Sequence, residues 1–146
     1  GVNLKAPAYL TKEFAKNTKG KNNNIINIID QRVFKLTPFF TSYTLSKTGL
    51  YTLTKTSAMS LAPNIRVNGI GPGILETPLT IEGLDKGDNR KVIESQIPLG
   101  RIGLPKDIGG AAVFLSSKDA EYITGQMLYI DGGILANQMN WDQSLL

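Results

Sequence analysis

The chain has 146 residues, 41% of them apolar and 19% charged, enough for one modest domain with a real core. It contains no cysteine and no histidine, which excludes disulfides, thiolate chemistry and the commonest general base and metal ligand. A formal charge of +4, from 16 basic and 12 acidic residues, suits a mildly basic surface or attraction for an anionic cofactor or substrate. It does not suit nucleic acid, because the basic cluster of Lys16, Lys19 and Lys21 lacks interleaved aromatics.

The N-terminal stretch GVNLKAPAYLTKEF lacks the layout of a secretory signal, and no run of eighteen apolar residues suggests a membrane span. A cytoplasmic location is the expectation. Residues 1–19 read as a helix with apolar positions Leu4, Ala8, Phe14 and Ala15, closed by Gly20. The helix starts without a capping residue, as though cut partway. Asn24–Asp30 (NIINIID) is a short run rich in β-branched Ile, suited to a strand covered on both faces. A loop over 31–41 carries Pro38, and a long helix is expected from about Ser42 to Leu61, stopped by Pro63. Ile65–Ile70 reads as a second strand, broken sharply by Gly71, Pro72 and Gly73.

Periodicity is lost from Ile74 to about Asp88, where a charged loop is expected; a short helix follows over 89–96. Pro105 opens another helix that ends near Ser117. Gln126–Asp131 is the last strand, before Gly132 and Gly133, which serve a turn. This order predicts an α/β chain with a three-stranded parallel sheet and helices on both faces. Three strands are few for an open doubly wound sheet, and one apolar edge is expected to lack a partner.

The strongest chemical feature is YTLSK, residues 43–47. A spacing of four places Tyr43 and Lys47 one turn apart on the same helical face. An ammonium near the phenol favours the phenolate, so the expectation is a lowered tyrosine pKa and a proton relay through the lysine. Asp30 ends the first strand thirteen residues earlier, and Thr77 follows Gly73 by four. In α/β sheets, ligands sit beyond the carboxyl ends of the strands, which is where Asp30 and Gly71–Gly73 fall.

With these pieces in order, the chain resembles the short-chain dehydrogenase/reductase family along nearly its whole length. The matching segments are Asn3 in VNL, YTLSK, IRVNGIGPG, GRIGLP and ITGQMLYIDGG. The resemblance implies the C-terminal part of a Rossmann-like doubly wound sheet, with Tyr43 as catalytic acid. Lys47 would bind the nicotinamide ribose and tune Tyr43, and Asn3 would hold a relay water. Pro72 and Gly73 would let backbone approach the nicotinamide, while Leu75 backbone and the Thr77 hydroxyl would hold its carboxamide. NADP is the implied cofactor, with NAD also possible, and no metal is implied. The implied assembly is a homo-oligomer, a tetramer in the intact enzyme, taking a small-molecule substrate without nucleic acid or membrane.

One position departs from the common pattern. Most members carry a serine where this chain has Asp30, and that serine donates to a substrate carbonyl. An ionised aspartate only accepts and would repel a developing oxyanion. Aspartate here is characteristic of the pteridine reductases and related alternative dihydrofolate reductases, which IINIID, YTLSK and KDAEYITGQMLYIDGG also resemble. Asp30 and Tyr43 would then protonate a pterin nitrogen, with Ile74 and Leu79 as apolar walls for the ring. Reduction of a 3-oxoacyl thioester or another carbonyl is the alternative within enzymes, and a non-catalytic oligomerising fragment the alternative outside them. The family's TGxxxGxG phosphate turn has no counterpart. Residues 1–146 are therefore expected to be the catalytic half of the domain, without its nucleotide-binding half and inactive alone.

Overall fold

The computed structural model describes residues 1–136. Three strands, β1 (Asn23–Ile28), β2 (Ile65–Pro72) and β3 (Met127–Ile130), form one parallel sheet in the order β1-β2-β3. Asn23 pairs with Ile65 at one end of the first ladder, and Pro72 pairs with Ile130 at the end of the second. Every strand runs the same way, so all three carboxyl ends open on one edge. The outer edge of β1 has no partner among the described residues.

Helices cover both faces, and the alternation along β2 shows which. Val67 packs with Ala58 of helix α2 (Thr41–Leu61), together with Ile65 and the half-buried Ile25 and Leu61. The intervening Arg66 and Asn68 turn to the other face. There Arg66 donates to the carbonyl of Leu115 in helix α5 (Pro105–Ser116), and Asn68 Nδ2 donates to Ile123. Gly69 and Gly71 lie on the α2 side, where a Cβ would meet the Met127 side chain and the Tyr129 ring. Their missing side chains are what let those two large residues of β3 lie over the sheet.

The elements depart from the expected boundaries in ways that bear on the site. Helix α1 spans Lys5–Asn17, and residues 2–4 form a turn before it, because Leu4 offers no side-chain cap. β1 ends at Ile28, two residues short of Asp30, which caps a single 3₁₀ turn at Gln31–Val33 instead. β2 runs on through Gly71 and Pro72 rather than breaking at Gly71. Proline is tolerated there because it is the last strand residue and its missing N–H falls at the ladder's end.

The aperiodic stretch contains a four-residue helix, α3 (Ile81–Leu84), and α4 (Asn89–Glu94) follows. Leu84 is buried in a second core cluster with Ile97, Ile102 and Ile134. α5 opens on Pro105, and Asp107 accepts from the Leu104 N–H at 2.7 Å. Arg101 and that N–H hold the Asp107 carboxyl down at about 2. Gly132 and Gly133 have φ of +67° and +94° and form the expected turn after β3. No helix among the described residues is long and apolar enough to cross a membrane.

Candidate active site

The site forms at the carboxyl end of β1, where the chain leaves the sheet and returns as α2. Asp30 has an extended backbone, φ −172°, and its carboxylate folds back to accept from the Arg32 N–H at 2.8 Å. This is the ordinary capping geometry of a short acidic residue. It also fixes where the other oxygen points: Asp30 Oδ2 accepts the Tyr43 hydroxyl at 2.7 Å. Two residues thirteen apart in the chain thus close into one side-chain hydrogen bond.

Lys47 lies one turn further along α2 and is buried. Its Nζ donates to the Ile28 carbonyl at 2.8 Å and stands 5.8 Å from the centre of the Tyr43 ring. The ammonium therefore faces the phenol's π surface while bridging α2 to the last residue of β1. Burial lowers the lysine pKa, opposed by the charge of Asp30.

The phenol moves opposite to the sequence expectation. Burial raises the Tyr43 pKa well above the tyrosine range, and the hydrogen bond and charge of Asp30 raise it further, with Arg32 opposing. An aspartate in place of a serine reverses the electrostatics: the nearest partner of the phenol is an anion that holds its proton. Lys47, with its Nζ drawn to Ile28, does not offset this.

The remaining expected residues fall into two groups. Pro72 and Gly73 lie at the same edge, since Ile28 pairs with Ile70 two residues before Pro72. Gly73 is tight against β3 on the side where a Cβ would point. Its N–H donates to Ile130 at 2.9 Å, and a Cβ would come within 2.6 Å of Asp131 Cα. Asn3 lies in the turn before α1, half-buried, and its side chain makes no hydrogen bond among the described residues. The neighbouring Leu4 packs on Gly49, where a Cβ would come within 2.7 Å, and so sets that turn beside α2.

The segment after β2 is tied to Gly103 at its start and to itself beyond. Leu75 bridges to Gly103, its carbonyl accepts from the Thr80 hydroxyl at 2.6 Å, and Thr80 Oγ1 in turn accepts the Thr77 N–H at 2.9 Å. The Thr77 and Thr80 hydroxyls share a 3.0 Å hydrogen bond. Ile74 packs against the core cluster around Ile97 and borders a cavity of about 230 Å³ with Leu75 and Ile130. Leu79 is almost fully exposed. The strap holds Thr77 and Leu75 in one network.

Three residues escaped the sequence reading. Thr80 organises the strap; the pair Thr77 and Thr80, three apart before a short helix, was the available signal. Arg32 sits on Asp30, signalled by the acid two residues before a cation at a chain turn. Phe40, next to the α2 start, lies edge-on to Tyr43, with centroids 6.5 Å apart. No group of three or more acidic side chains among the described residues could hold a metal ion.

The chain spans about half the length of the curated relatives it matches. A 3-oxoacyl-[acyl-carrier-protein] reductase of Thermotoga maritima is 41% identical over 118 residues, covering 80% of this chain and 47% of that protein. Dehydrogenase/reductase SDR family member 4 of Homo sapiens is 37% identical over 135 residues, covering 90% and 48%. Among solved structures, a 4-hydroxyisoleucine dehydrogenase mutant complexed with NADH and succinate superposes with TM-score 0.86 at 39% identity, over 92% of this chain and 57% of that one. A putative 2-deoxy-D-gluconate 3-dehydrogenase from Agrobacterium tumefaciens with bound NADP gives 0.85 at 40%, over 92% and 56%. The family model described as enoyl-(acyl carrier protein) reductase matches residues 1–135. With the parallel sheet and the Tyr43–Lys47 helix already in place, the chain belongs to the short-chain dehydrogenase/reductase family.

Proposed function

We propose that this chain carries the proton-donating half of a nicotinamide-dependent reductase acting on a reduced pterin or dihydrofolate. The observation that carries the reading is the 2.7 Å hydrogen bond from the Tyr43 hydroxyl to Asp30. A phenol whose proton is held this firmly is a weak acid, so it suits an acceptor more basic than a ketone oxygen. A ring nitrogen of a pterin is such an acceptor. The carboxylate of Asp30 can in turn accept N–H groups from the amino-substituted ring, which a carbonyl substrate lacks.

The residues present fit the ribose end of a nicotinamide cofactor. Lys47 has three ammonium donors and spends one on Ile28, leaving two for ribose hydroxyls. Thr77 would have to exchange its Thr80 partner to reach a carboxamide. A bound reduced nicotinamide, NADPH or NADH, would supply the hydride for the ring carbon. Tyr43 gives its proton to the adjacent nitrogen, so C=N becomes CH–NH. Asp30 keeps the ring's N–H edge in place.

A 3-oxoacyl thioester reductase is the second reading, favoured by the likeness to the Thermotoga maritima protein. In that reading Asp30 is a turn cap and Tyr43 protonates a carbonyl oxygen. Cofactor oxidation by the complete gene product, with dihydrobiopterin, dihydrofolate and a 3-oxoacyl thioester in parallel, separates them. Pterin turnover that Asp30→Ser lowers about a hundredfold is the expected result. Pterin turnover unchanged in Asp30→Ser, or turnover of the thioester alone, overturns the assignment.

A further inference from the structure

The connection from β1 to α2 ends beside the Asp30–Tyr43 pair and displays an unusual mix of side chains. Phe34, Leu36, Phe39 and Phe40 are all exposed, and the cations Arg32 and Lys35 lie among them. Phe39 is fully exposed with φ +68°, left-handed backbone that a bulky residue seldom adopts. Aromatic surface rimmed by cations at the mouth of a site marks a place where something binds.

Arg32 organises this surface. Its Cζ stands 4.7 Å over the Phe40 ring, a cation–π contact that holds the guanidinium flat. Its Nη1 reaches Asp30 Oδ2 at 3.4 Å, a long contact because that oxygen already takes the Tyr43 proton at 2.7 Å. The guanidinium has five N–H donors. Its Nε is buried without a partner among the described residues, and the side chain remains 29% exposed. A flat, preset and under-used guanidinium is arranged for a planar carboxylate, and the exposed rings beside it for an aromatic group.

We propose that Arg32, seated on Phe40, binds a carboxylate on the aromatic tail of the substrate. The site thereby takes tailed pterins of the dihydrofolate class in preference to short uncharged ones. This rests on the pterin reading above and names which pterins it serves. Charge complementarity and continuity with the Asp30–Tyr43 pair commit the surface to a substrate tail, not a protein face.

Paired measurements on the complete gene product, with dihydrofolate and dihydrobiopterin, test it through the ratio of their kcat/KM values. Arg32→Gln is expected to lower the dihydrofolate-to-dihydrobiopterin ratio about tenfold, the effect of one charge-assisted hydrogen bond at a partly exposed site. The change should fall on KM for dihydrofolate. Any loss transmitted through Asp30 affects both substrates and cancels. Arg32→Lys should recover part of the ratio, and Phe40→Leu should shift it the same way by less. A ratio within about twofold of the parent in Arg32→Gln overturns the inference and leaves Arg32 as a support for Asp30, with the loop free for a protein partner. If the parent turns over neither pterin, the pterin reading itself falls and takes this one with it, so the two failures are told apart.

Discussion

Two stretches flank the carboxyl edge of the sheet, and they solve the same problem differently. The corner from Ile28 to Lys47 is anchored in a strand at one end and a 21-residue helix at the other. Its polar groups converge: the phenol on Asp30, the ammonium on Ile28, the guanidinium on Asp30. The strap from Ile74 to Asp88 has one helical turn of four residues, and its Thr77 and Thr80 hydroxyls are spent on each other and on its own backbone. Rigid elements bring distant residues to a common point without help. The strap's apolar anchors are Ile74 and Leu84; between them Glu76 is tied to Gly103 and Arg90, and Thr77 is held by Thr80 through bonds that a ligand can replace.

The largest effect should come from breaking the corner. Tyr43→Phe keeps the ring, its edge contact with Phe40 and the position of Lys47, and removes only the proton and its bond to Asp30. Turnover by the complete gene product should fall by about 10²–10⁴-fold with the folded structure retained. The same substitution carries a pH signature. The folded Tyr43 pKa is raised above the unfolded value near 10, so the proton is bound more tightly in the folded state. Its contribution to stability is full below pH 10 and is lost as pH rises beyond it. Tyr129, pushed by burial up to about 12, behaves alike. Alkaline unfolding followed by circular dichroism should therefore be less steep in Tyr43→Phe, and an unchanged profile would show that Asp30 does not hold the proton.

A smaller effect is expected where the strap leaves the sheet. Gly73→Ala sets a methyl carbon 2.6 Å from Asp131 Cα, against backbone that cannot rotate away. The expected cost is about 1–3 kcal/mol by urea denaturation. A neutral result would mean that β2 and β3 are less closely joined at this end than their pairing indicates.

Much of the corner was legible in the sequence, and little of the strap. The strands follow from β-branched runs and α2 from its helical spacing, so Tyr43 and Lys47 on one face required only the helix to exist. Asp30 was placed by its distance from Tyr43, yet its effect on the phenol depends on a 2.7 Å contact that spacing cannot supply. The spacing argument favoured Lys47 because it counts residues along a helix, whereas the buried ammonium is drawn to the Ile28 carbonyl. Gly71 read as a break because glycine and proline usually punctuate strands. Here its missing side chain serves the Tyr129 ring across the sheet, a non-local reason that no window of sequence contains.

The strap's own bonds allow the mildest and sharpest test of the difference between the two stretches. Thr80 Oγ1 donates to the Leu75 carbonyl, accepts from the Thr77 N–H, meets the Thr77 hydroxyl and lies 3.3 Å from the Thr77 carbonyl, so four contacts converge on one atom. Thr80→Val keeps the shape and removes all of them. Because the segment is half-buried and water can replace part of what is lost, the cost to global stability should be only about 1 kcal/mol. Amide exchange should instead accelerate at Thr77 while remaining slow at Ile29, whose N–H is bonded to Ile70 within the sheet. Equal acceleration at both would mean that strap and corner open as one unit, and that the independence drawn from their bonding is wrong. Acceleration confined to the strap would leave the corner rigid while Thr77 is freed to take a ligand.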